Sequence, residues 1–137
     1  MINVGSEKKT SQRAIEYAQK YERGVFAAVG LHPIHLTASE YEQKFKGEKI
    51  KFSIPAEIFD EKYYRNLASN PKTVAIGEIG LDHYRLTADK QGTDMQINAA
   101  KNLQEDVLLE QLKLAERFNK PVILHCRNAH DDLLKIL

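Results

Sequence analysis

Apolar residues along the chain follow two rhythms. Short β-branched runs, Val25-Phe26-Ala27-Ala28-Val29, Thr73-Val74-Ala75-Ile76 and Val122-Ile123-Leu124, alternate with longer stretches in which apolar positions recur every three or four residues. The first kind reads as buried strand and the second as amphipathic helix, and their alternation argues for βαβ units and a parallel sheet. Ser11 is placed to cap a helix to about Arg23, with Ala14, Ile15, Ala18 and Tyr21 at helical spacing and Gly24 past its end. The strand over 25–29 stops at Gly30, and a loop carrying His32-Pro33-Ile34-His35 follows. Asp60 caps a helix through Tyr63, Tyr64, Leu67 and Ala68, which Asn70-Pro71 ends because a residue before proline is pushed out of helical geometry.

Elsewhere the pattern is weaker. From Leu36 to Pro55 the chain is polar, with Gly47 and the lysines Lys46, Lys49 and Lys51, and reads as a short helix near Ser39 to Phe45 followed by a loop. Leu86 to Met95 reads as a loop. A long helix then runs from about Ile97 or Asn102 to Phe118, burying a stripe of Leu103, Val107, Leu112, Ala115 and Phe118, and Asn119 suits its C-terminus. Ile2-Asn3-Val4-Gly5 looks like the tail of a strand, and the helical pattern from Ala129 to Leu137 lacks a stop signal. Both ends therefore read as truncated elements of one partial domain over residues 1–137.

Composition narrows the class of function. With 137 residues, 42% hydrophobic and 28% charged, the chain has the profile of a globular domain. Its 20 basic and 19 acidic residues leave a net charge of +1, so it has no global attraction to polyanions, and a phosphate-bearing substrate would be held locally. The single cysteine, Cys126, has no disulfide partner and reads as a buried, inert thiol. No apolar run reaches the length of a membrane span, and Met1 to Thr10 lacks the apolar core of a secretory signal, so a cytoplasmic location is expected.

In parallel α/β proteins reactive side chains gather where strands run out at their carboxyl ends. Three polar residues stand at such ends: His32, Glu78 and His125. Strand parity puts Glu78 on the face of Val74 and Ile76 and His125 on the face of Ile123, so both point into one cleft. A carboxylate and an imidazole at neighbouring strand ends suit one divalent ion, and a glutamate has the second oxygen needed to bridge a pair. Taken singly, Glu78 reads rather as a solvated carboxylate and His125 as a bonded core histidine; together at successive strand ends they read as ligands. Asp82 reads either as a catalytic group of the same cleft, a base that orients water or a support behind the ligands, or as a helix-capping or turn residue. Arg127 shares the parity of His125 and suits a phosphate oxygen, or pairs with Asp131 or Asp132 at the surface. Of the histidines flanking Pro33, His32 is the phosphate-binding candidate and His35 the structural one. His83 and His130 look like surface histidines, and Tyr63-Tyr64 like packing rather than base stacking.

Four blocks resemble the TatD family of metal-dependent hydrolases: Val29-Gly30-Leu31-His32-Pro33, Ala75-Ile76-Gly77-Glu78-Ile79-Gly80-Leu81-Asp82, Gln111-Leu112-Lys113-Leu114-Ala115, and Lys120-Pro121-Val122-Ile123-Leu124-His125-Cys126-Arg127. The resemblance implies part of a (β/α)8 TIM-type barrel, about strands 2–5 with their helices, since a whole barrel takes about 250 residues. It implies that Glu78 and His125 are metal ligands, with Glu78 bridging two divalent ions (Zn, Mn or Mg), and that the reaction is phosphodiester hydrolysis, most often DNA exonuclease action. The family's His-x-His pair, a further histidine and a further aspartate are absent, so weak or no catalysis is expected of this chain alone. Pro33-Ile34-His35 departs from the family, whose second histidine directly follows the proline, and the stretch from Leu36 to Pro55 is longer than the family's. The rival expectations are a noncatalytic half-barrel that self-associates through open sheet edges, and a barrel hydrolase acting on amides or lactones.

Overall fold

The computed structural model describes residues 1–45, 47–88 and 92–137. Four parallel strands, β1 (Ile2–Val4), β2 (Phe26–Val29), β5 (Thr73–Asp82) and β6 (Val122–Arg127), form a curled sheet in the order β1-β2-β5-β6. Helices α1 (Lys8–Gln19), α2 (Glu61–Ala68) and α4 (Asp94–Arg117) connect successive strands, and α5 (His130–Ile136) follows β6. This is the expected α/β partial barrel. Its core lies between sheet and helices, where Ala14, Ile15 and Ala18 of α1, Tyr64 and Leu67 of α2 and Val107, Leu108 and Leu114 of α4 cover Val29, Ile76, Ile79 and Leu81. Burying apolar surface between the layers, at about 25 cal/mol per Å², is the main force closing them. Among the described residues, no helix is long and apolar enough to cross a membrane.

Several local expectations change. The helix placed near Ser39 to Phe45 is instead strand β3 (Ser39–Phe45), paired antiparallel with β4 (Glu48–Ile54) in a separate hairpin; Lys46 lies outside the described residues. The stretch lacks an apolar helical stripe, so pairing with a neighbouring strand satisfies its backbone better than an unsupported short helix would. The loop from Leu86 to Met95 shrinks, because α3 (His83–Ala88) follows β5 directly and α4 starts at Asp94 behind a Thr93 cap that accepts from the Gln96 N–H; residues 89–91 lie outside the described ones. Ser11 is not a cap. Helix α1 begins four residues earlier, at Lys8, and ends at Gln19 rather than near Arg23, with the Thr10 hydroxyl accepting from the Glu7 N–H and Ser11 buried against β2.

Other boundaries hold. The Asp60 carboxylate accepts from the Tyr63 N–H at the start of α2, and Asn119 takes a left-handed φ of 48° at the end of α4. Tyr64 is fully buried, stacked on Phe59 and edge-on to Tyr63, which makes the tyrosine pair packing. Cys126 is only half-buried at the margin of the core, not buried as expected, because β6 is an edge strand with one side open.

Candidate metal centre

Strands β5 and β6 are both longer than their apolar runs suggest, and the extra residues carry the site. In register, Gly80 pairs with His125 and Asp82 with Arg127. The approach is close enough that a Cβ on Gly80, whose φ is +147°, would lie 1.9 Å from the His125 carbonyl oxygen. Glycine is required there. His32 comes to the same place from the loop after β2, with its ring centroid 4.1 Å from that of His125.

The His125 ring lies between two carboxylates. Its Nδ1 is 3.2 Å from Glu78 Oε1, and its Nε2 is 3.3 Å from Asp82 Oδ2. Asp82 is 2% exposed, and its other oxygen accepts from the Arg85 N–H, so both its oxygens are occupied. In the tautomer that gives Nε2–H to the buried Asp82 carboxylate, the Nδ1 lone pair faces Glu78.

Two acceptor atoms facing each other at 3.2 Å suit a shared cation. Tetrahedral ligands about 2.1 Å from one ion stand about 3.4 Å apart. One ring nitrogen of His32 joins them, all three ligand atoms lying within 4.8 Å of one another. With His32 the set would be two imidazoles and a carboxylate, and the imidazole and carboxylate of His125 and Glu78 by themselves suit Zn or Mn.

His32 has a second commitment. Its Nδ1 accepts from the Ile34 N–H, capping the 3-10 turn Pro33–His35. Burial lowers its pKa to about 4, with the neighbouring His125 adding to the effect, so the ring is neutral near pH 7. A neutral ring whose Nδ1 accepts carries its proton on Nε2, and in this tautomer His32 offers a donor rather than a lone pair.

Arg127 stands at the end of β6 with its guanidinium 3.8 Å from the centre of the Tyr84 ring, while Asp132 pairs with Lys135 and lies 3.7 Å from the His83 ring. His83 is therefore buried and not the surface histidine expected, because α3 follows β5 without a loop and turns it toward α5. His35 lies apart from the cluster, its Nε2 3.4 Å from Ser6 Oγ and its Nδ1 3.8 Å from Glu7.

Three residues not singled out by their chemistry support these strand ends. The Ser11 hydroxyl bonds both the N–H and the carbonyl of Gly30; Gln111 does the same for Leu31, and Gln104 for Asp82. For the two glutamines the signal in the sequence was an amide among apolar positions at helical spacing, and Gln111 also opens one of the four blocks that resemble the family; Ser11 was read as a cap.

Comparison with known proteins agrees with this architecture. The chain is 30% identical over its whole length to the uncharacterized metal-dependent hydrolase YabD of Bacillus subtilis and 33% identical to the 3'-5' ssDNA/RNA exonuclease TatD of Erwinia tasmaniensis, spanning 42% of each. The crystal structure of the TatD homologue YjjV of Escherichia coli superposes on 98% of this chain with a TM-score of 0.66 and 31% identity, 41% of that chain being covered. The chain thus spans about two fifths of the relatives it matches. The family model described as TatD related DNase matches residues 1–137 in full, and the chain belongs to that family.

Proposed function

We propose that this chain supplies part of the metal centre of a hydrolase that cleaves phosphodiester bonds in nucleic acid, in the manner of a DNA exonuclease. The observation that carries the reading is the approach of His125 Nδ1 to Glu78 Oε1, 3.2 Å apart at the carboxyl ends of adjacent strands. Glu78 and His125 are the ligands in this reading. Glu78 and His125 would hold one ion, and the second oxygen of Glu78 would be available to another, with Zn, Mn or Mg as the metal. The name of the Erwinia relative, a single-stranded DNA and RNA exonuclease, supports the substrate class.

When bound, a divalent ion supplies Lewis-acid polarisation and a more acidic water. The chain's residues then have separate tasks. Asp82 holds the His125 ring through Nε2–H, a positioning role that its two engaged oxygens favour over proton transfer. Neutral His32 gives its Nε2–H to a phosphate oxygen, and Arg127, propped on Tyr84, neutralises phosphate charge at the rim. With about two fifths of the relatives' length, the chain alone is expected to show weak or no turnover. Chelator-sensitive cleavage of a single-stranded oligonucleotide by the 137-residue chain, abolished in Glu78→Ala, would contradict that expectation; no cleavage by the whole protein would contradict the function.

A second reading, a noncatalytic module that associates through sheet edges, draws on one observation. Edge strands β1 and β6 expose Ile2, Val4 and Leu124. Light scattering decides it: a concentration-dependent rise in mass supports this reading, and a monomer at all concentrations removes it.

A further inference from the structure

We propose that Gln104 and Gln111 are positioning residues of the metal centre, two buried amides on one face of α4 that set where Asp82 and the His32 segment stand. Gln104 is 2% and Gln111 1% exposed, both embedded in an apolar stripe with Val107, Leu108, Leu114 and Ala115. A buried amide is costly unless it is bonded, and each of these is bonded twice, to the backbone of a single residue. The Gln104 oxygen accepts from the Asp82 N–H at 2.9 Å and its nitrogen donates to the Asp82 carbonyl at 3.3 Å. The Gln111 oxygen accepts from the Leu31 N–H at 2.7 Å and its nitrogen donates to the Leu31 carbonyl at 3.0 Å. Each amide thus takes the part of one more strand residue beyond the last β2–β5 pair, Val29 with Ile76.

The spacing is matched. Seven residues of helix separate the two amides, a rise of about 10.5 Å. Val29 of β2 pairs with Ile76 of β5, so Leu31 stands near the level of Glu78 and Asp82 lies four residues farther on, about 13 Å along a strand. The earlier glutamine meets the farther residue, as a helix running antiparallel to the strands requires. Leu31 directly precedes His32, and the Asp82 carboxylate holds the His125 ring. The two clamps therefore act on different parts of the site. Gln104 governs the orientation of a metal ligand and Gln111 the placement of the phosphate donor. This also gives the Gln111–Ala115 block a physical role.

The inference rests on reading the site as a metal-assisted phosphodiesterase, and its test separates the two. Gln104→Met and Gln111→Met keep the volume but make neither bond. Leu108→Ala, on the same helix face between them, is a control that destabilises the core but removes no hydrogen bond to a strand-end peptide. Mn2+ affinity is measured by calorimetry, inorganic phosphate affinity is measured in the Mn2+-loaded chain, and both are corrected for the folded fraction from urea melts. Gln104→Met is expected to weaken Mn2+ by about 10-fold or more, the usual effect of disturbing a group that orients a ligand. Gln111→Met is expected to weaken phosphate at least about threefold with Mn2+ affinity kept, and Leu108→Ala to change neither. Wild-type affinities retained within twofold in both glutamine variants overturn the inference and leave the metal site standing; a wild-type chain that binds no Mn2+ overturns the site and the inference with it. Should the variants not fold, NMR of the unmutated chain decides. Zn2+ is expected to shift the side-chain amide signals of Gln104 together with the backbone amide of Asp82, and unshifted signals refute the clamp.

Discussion

Gly80→Ala probes the close contact on which the site depends. The added methyl would sit 1.9 Å from the carbonyl oxygen of His125 and 2.8 Å from its carbonyl carbon. Since real Cβ contacts stay beyond 3.0 Å, β5 and β6 would have to part by at least about 1 Å at the residue that carries the imidazole. A φ of +147° is itself unfavourable for alanine. Strain of about 1–3 kcal/mol and overpacking of about 1–3 kcal/mol sum to about 2–6 kcal/mol, a large part of a typical domain's stability. A displacement of about 1 Å also exceeds the roughly 0.5 Å tolerance of a preorganised site, so Mn2+ affinity should fall more than about 10-fold in whatever fraction folds. Urea denaturation and calorimetry read the two effects. Gly24→Ala is the control, since its φ is +77° with nothing within 4 Å, and it should cost only about 1 kcal/mol and leave metal binding unchanged. If Gly80→Ala matched wild type within about 0.5 kcal/mol and bound Mn2+ equally, the close strand contact would be refuted.

Three further outcomes are expected. Tyr64→Phe removes the 2.8 Å bond from the buried phenol to the part-buried Glu57 carboxylate and should cost about 1.5–3 kcal/mol in urea melts; a cost under about 0.5 kcal/mol would show that this bond is not made. In chelator-treated protein, burial holds the His32 imidazole at about 4 against about 6.5 when unfolded. The unfolded chain then binds the extra proton, so the His32 contribution is intact above about pH 6.5 and is lost as pH falls toward 4; an NMR titration placing His32 above pH 6 would contradict this. His32→Ala should leave Mn2+ affinity within about threefold if the ring is a donor, whereas a loss above about 10-fold would make it a ligand.

The parallel architecture was legible because Val25–Val29, Thr73–Ile76 and Val122–Leu124 are short apolar runs between helical stretches, a pattern with few other solutions. The placement of Glu78 and His125 at neighbouring strand ends was legible because position at a strand end is a property of the backbone, whereas the parity of Glu78 with Ile76 is not kept, since the register shifts between Ile76 and Ile79 and Ile76 packs in the core under the helices. The hairpin was not, since the pairing of β3 with β4 is a relation between two segments and neither shows it alone. The buried face of α4 was misplaced for a related reason. Leu103 was expected inside and is 41% exposed, while Gln104 and Gln111 take the buried positions, because the backbone ends they satisfy come from β2 and β5. A polar residue bonded to distant main chain looks like a surface residue until the fold is known. His83 was misread in the same way, its burial depending on α5 packing nearby.

The central claim is that Glu78 and His125 share a divalent ion, and calorimetric titration of the 137-residue chain with Mn2+ tests it most directly. Saturable binding that falls more than about 10-fold in both Glu78→Ala and His125→Ala, with the variants folded by urea melts, is the predicted result. Equal affinity in either variant, or no binding by the unmutated folded chain, would contradict it.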